Sequence, residues 1–123
     1  MLTSSIGWIL IASGVVTAGG GLAGLVSPKL ILRLVFGVKA ADGPLMFFTR
    51  HWGALLFVVC ALTVYSAYFP NTRVPILTAS ILEKCVIVAL FFFGPIKRTA
   101  LMTMFGTLDG ILAILFTAYL AGI

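Results

Sequence analysis

Four apolar runs, at about 6–26, 45–68, 75–94 and 101–122, take up most of this 123-residue sequence. Each is close to the ~20 residues that a helix needs to cross the ~30 Å hydrocarbon core of a bilayer. In that core a segment must satisfy its own backbone hydrogen bonds, which a helix does unaided. The connections are short, so consecutive helices are expected to be antiparallel neighbours. The expected fold is all-α: one transmembrane domain over 1–123, an integral membrane up-down four-helix bundle. Composition supports this reading. Apolar residues make up 62% and charged ones 9%, against about a quarter charged in a soluble domain. Such a chain could not cover its own surface in water, so its first partner is the lipid bilayer.

Turn chemistry divides the runs. Pro70 and Pro75 bracket FPNTRVP, and Gly94 with Pro95 stops the third run. Between the first two runs lies SPKLILRLVFGVKAADGP. Ser27 can cap a helix and Pro28 suits its first turn. Leu30, Ile31, Leu34, Val35 and Val38 recur at helical spacing, with Lys29 and Arg33 opposite. This predicts a short amphipathic helix at about 28–36, lying in the membrane interface and ending near Gly37. The first run lacks a basic leader and is too long for a signal-peptide core, so it is read as a retained helix.

The net charge of +5 reports topology here. Lys29, Arg33, Lys39, Lys97 and Arg98 fall in two loops on one side, and only Arg73 falls on the other. The positive-inside rule then places the basic loops in the cytoplasm and both termini on the non-cytoplasmic side, as in a bacterial cytoplasmic membrane. No basic run interleaved with aromatics suggests nucleic acid. Cys60 and Cys85 show no CxxC or Cys/His spacing and read as small buried apolar residues, and no metal site is indicated. Trp52, Tyr65 and Tyr68 fit interfacial belts. Gly14, Gly21 and Gly24 lie on a small-residue stripe of the first helix, and Gly106 with Gly110 marks the fourth. Such residues let helix backbones approach closely, within the bundle or between chains.

Charges inside the apolar runs are the candidate site. At ~1.5 Å per residue, Arg50 lies about 8 Å from the cytoplasmic edge, Asp109 about 12 Å, and Glu83 and Lys84 about 17–18 Å. Two cations and two anions can neutralise one another, which offsets the cost of about 3 kcal/mol for a lone charge at mid-bilayer. Depth and helix face favour Arg50 with Asp109. Neighbours on a helix point ~100° apart, so Glu83 and Lys84 are expected to look toward different partners. His51 and Ser80 are secondary candidates. The network either fixes helix register or lines a cavity for a polar head group, a quinone or a proton.

The glycine-rich first helix, SPKLILRLVFG, RHWGALLFVVCAL, a third helix carrying EK and a fourth carrying Asp together resemble the small four-helix bacterial membrane proteins of the broad DoxX-like group. The resemblance covers most of the chain and implies a four-helix membrane bundle. Some members of that group are linked to quinone-dependent sulfur oxidation. Two functions follow as expectations. The first is a non-catalytic accessory or structural subunit of a larger membrane complex, or a homo-oligomer. It requires no cofactor, and its short loops leave no room for a soluble active site. The second is a quinone- or lipid-binding redox-associated protein. A small transporter is a third alternative, although small multidrug transporters carry an essential carboxylate in their first helix and this chain has none there. No nucleophile–base pair or phosphate loop points to an enzyme.

Overall fold

The computed structural model describes residues 2–40, 42–95 and 97–122, with burial described from Ser5 onward. Among these residues there are five α-helices and no strand: α1 (Leu2–Val26), α2 (Pro28–Leu34), α3 (Gly43–Tyr68), α4 (Arg73–Phe93) and α5 (Ala100–Leu120). The four long helices α1, α3, α4 and α5 are long and apolar enough to cross a membrane.

Local chemistry sets the boundaries. Asp42 caps α3, its carboxylate accepting from Leu45 N at 2.8 Å. Thr99 caps α5 by accepting from Met102 N at 3.1 Å, and its hydroxyl donates to the Val35 carbonyl. Each satisfies an amide that the helix leaves without a partner. Ser27 begins α2 through its carbonyl and makes no side-chain cap, while Pro28 supplies a first residue with no amide to lose. The turn after α3 is a 3-10 helix at Pro70–Thr72 that runs straight into α4. Helix α4 therefore begins at Arg73, two residues before the expected Pro75. The proline falls in the first turn, where its missing N–H costs little.

Two apolar clusters hold the ends of the bundle together. Ile6, Leu10, Leu77, Leu112 and Phe116 join the start of α1 to the start of α4 and the later half of α5. At the opposite end, Val35, Phe91 and Met102 join the stretch just after α2 to the end of α4 and the start of α5. Phe36 stands edge-on to both Phe91 and Trp52. Consecutive long helices thus run antiparallel. The α1–α3 and α4–α5 pairs pack extensively, and α1 meets α5 only sparingly.

The α1–α3 pair depends on glycine. A Cβ at Gly21 would stand 2.6 Å from Phe57 N and 2.7 Å from the Gly53 carbonyl oxygen. One at Gly14 would stand 2.9 Å from the Cys60 carbonyl oxygen, and one at Gly24 3.1 Å from the Trp52 ring. The stripe on α1 is therefore used against α3, inside the chain. Gly106 packs on the Phe91 and Phe92 rings of α4, whereas Gly110 has room. Two sequence readings need correction. Cys85 is exposed, and only Cys60 is buried. In the short helix and its exit the buried positions are Pro28, Leu32 and Val35, while Leu30 and Leu34 are exposed. Helix α2 therefore has three sides. One faces the bundle, Lys29 and Arg33 lie on a second, and Leu30 and Leu34 form an apolar third.

Candidate functional site

Lys84 sits near the middle of α4 and is 3% exposed. Its ammonium lies 3.4 Å from Asp109 Oδ1 on α5 and 3.9 Å from Glu83 Oε1 on its own helix. Burying an ammonium among apolar side chains is costly unless it is paired, and Asp109 provides the pairing. The sequence reading gave Asp109 to Arg50, and the structure corrects that. Arg50 is exposed and donates to the Leu25 carbonyl at 3.1 Å, at the end of α1. The last carbonyls of a helix lack partners, so an arginine on the neighbouring helix is drawn there. His51 is exposed at the same end, and Ser80 is buried one turn before Lys84. Glu83 and Lys84 do leave the helix at different angles, yet the four-carbon lysine stem bends far enough for its ammonium to lie near both carboxylates.

The sequence reading allowed a cavity beside this group without placing it. Where α1 and α5 diverge, a cavity of about 230 Å³ opens between them. Val16, Thr17 and Gly20 of α1 face Leu101, Phe105, Leu108 and Asp109 of α5 across it. Ile31, Leu34 and Val35 close one end, and Trp52, Leu56, Glu83, Ile87 and Phe91 form the back wall. The lining is apolar apart from Thr17 and the two carboxylates. The Thr17 hydroxyl donates back to the Ser13 carbonyl at 2.6 Å and also lies 2.9 Å from Cys60 Sγ, bracing α1 against α3. At 3.9 Å the Lys84 ammonium attracts Glu83 but is too far to hydrogen-bond it. Glu83 Oε1 is buried and has no hydrogen-bond partner among the described residues. A buried acceptor left in that condition calls for an explanation. Among the described residues, no group of His, Cys, Asp and Glu is placed to hold a metal ion.

Arg73, in the sequence only a marker of topology, joins three helices. Its guanidinium donates to the Ser66 and Ala67 carbonyls at the end of α3 and to the Tyr119 hydroxyl of α5, at 2.8, 2.9 and 3.2 Å. The available signal was an arginine a few residues past a helix C-terminus, where free carbonyls collect. Tyr119 carried no such signal. Neither protein-family models, curated proteins nor solved structures yield a match to the chain.

Proposed function

We propose that this chain is an integral protein of a bacterial cytoplasmic membrane that binds a lipid-soluble molecule in the α1–α5 cavity. The molecule carries a hydrogen-bond donor on its head, and a quinol is the class that fits. The two basic connections face the cytoplasm, and the 3-10 turn and both ends of the chain lie on the other side, as the positive-inside rule directs. The supporting observation is Glu83, which helps line a mostly apolar cavity and whose buried Oε1 has no hydrogen-bond donor among the described residues. At about 230 Å³ the space is below the ~300–1,000 Å³ of sites that enclose whole drug-sized ligands. It suits a head group whose tail stays in lipid. The sparing α1–α5 contact gives that tail a lateral way in.

The accessory-subunit reading rests on the short loops. The glycine stripe of α1 is occupied by α3 and is not free for a partner chain. One experiment separates the two readings. Trp52 lines the cavity and Trp8 is 77% exposed, so Trp8→Phe leaves a single reporter at the site. Titrating a short-tailed quinol into this variant in nanodiscs, under reducing conditions, should quench Trp52 saturably. The matching quinone, which has no donor, should bind at least about tenfold more weakly, as expected for one lost hydrogen bond to a charged acceptor. Glu83→Gln should weaken quinol binding, and Gly20→Leu should abolish it by filling the cavity. Saturable quenching that survives Gly20→Leu, or none in the parent, would favour the subunit reading. Gentle native mass spectrometry would then be expected to show companion chains.

A further inference from the structure

A second site lies on the other side of the Trp52–Phe91 wall. Gly37, at φ +70°, turns the chain back after α2, and Val38 N donates to the Leu32 carbonyl at 2.8 Å. This fold-back brings Lys39 to the same cavity as Lys29 and Arg33, a space of about 280 Å³ completed by Leu32, Val38 and Ala40. Three cations face it, and among the described residues no acid lines it. The nearest acid in sequence, Asp42, is already used in capping α3. Leu32 and Val38 also belong to a neighbouring apolar groove of about 340 Å³, which runs past Phe36, Phe48 and Leu90 to Pro95. The cationic cavity and the apolar groove therefore meet along these two shared side chains.

We infer that this composite is a binding site for an anionic phospholipid, with the phosphate among Lys29, Arg33 and Lys39 and an acyl chain in the groove. A free anion would use only the first half, and a neutral lipid only the second. Adjacent halves of opposite character match one molecule that has both. The exposed Leu30 and Leu34 hold α2 at the depth where head groups and chains meet. The inference rests on the membrane reading above and is independent of the ligand assigned to the α1–α5 cavity.

The test uses the full chain in nanodiscs of phosphatidylcholine containing a minor fraction of phosphatidylglycerol. Lipids retained on release are counted by native mass spectrometry. One phosphatidylglycerol should be retained in preference to phosphatidylcholine. Each of Lys29→Gln, Arg33→Gln and Lys39→Gln should lower that preference by roughly fivefold, with unchanged melting temperature because all three side chains are exposed. Soluble glycerol phosphate should not displace the bound lipid, since it cannot use the groove. Equal retention of the two lipids, or displacement by glycerol phosphate at similar concentration, would overturn the inference. Failure to insert into nanodiscs at all would instead overturn the membrane reading.

Discussion

At the residue scale, Lys84 decides the character of the bundle centre. It is 3% exposed and lies closer to Asp109 than to Glu83. Removing it leaves two carboxylates facing each other in an apolar surround, whereas removing the Asp109 charge leaves Lys84 still near Glu83. Breaking one side of a buried pair typically costs about 3–5 kcal/mol. Lys84→Met should therefore fall in that range, and Asp109→Asn should cost less. Thermal unfolding in detergent reads both. The same measurement separates Arg50 from the group. Arg50 bonds to the Leu25 carbonyl on another element, so Arg50→Gln and Asp109→Asn should be additive to about 0.5 kcal/mol. Rescue of one by the other would restore the pairing expected from depth and helix face.

At the element scale, α1 has two faces that differ at adjacent glycines. Gly21 lies against the α3 backbone, and Gly20 has open space in the cavity. A methyl group at Gly21 meets Phe57 N and the Gly53 carbonyl, backbone atoms that cannot step aside. Gly21→Ala should cost about 1–3 kcal/mol by overpacking. Gly20→Ala should be neutral, or stabilise by up to about 1 kcal/mol through helix propensity. Melting temperatures of the two variants in the same detergent check the sign of each. Equal effects would mean that the α1–α3 contact does not depend on glycine. Small residues on the first helix were legible in the sequence. Which of them α3 uses was not, because composition and spacing do not give the rotation of one helix against another.

At the scale of the whole molecule, topology is the testable quantity. Asn71 is exposed in the 3-10 turn, and Lys97 is exposed in the connection after α4. In a background with Cys85→Ser, and with Cys60 buried, an impermeant maleimide applied to intact cells should label Asn71→Cys and leave Lys97→Cys unlabelled. The reverse pattern would invert the orientation. The bundle itself divides into two well-packed pairs, α1–α3 and α4–α5. They are joined by the α3–α4 contact, by the Arg73 bonds and by the apolar clusters at either end. The seam between α1 and α5 is the sparse one, and the α1–α5 cavity lies along it.

What the sequence determined by itself follows from local physics. Runs of about 20 apolar residues define four long helices, prolines and glycines end them, and Pro28 and Gly94 mark boundaries that need only neighbouring atoms. The charges that need a partner, Glu83, Lys84 and Asp109, were also legible, since an ionised group in an apolar run is conspicuous. Tertiary structure decided who the partners are. Arg50 reached the free carbonyls of α1 and left Lys84 to Asp109, because two helix rotations and the length of a lysine stem set those distances. The α1–α5 cavity belongs to the same class. It exists because α1 packs closely on α3 through glycine and so stands away from α5, a consequence of three helices together that no single segment encodes.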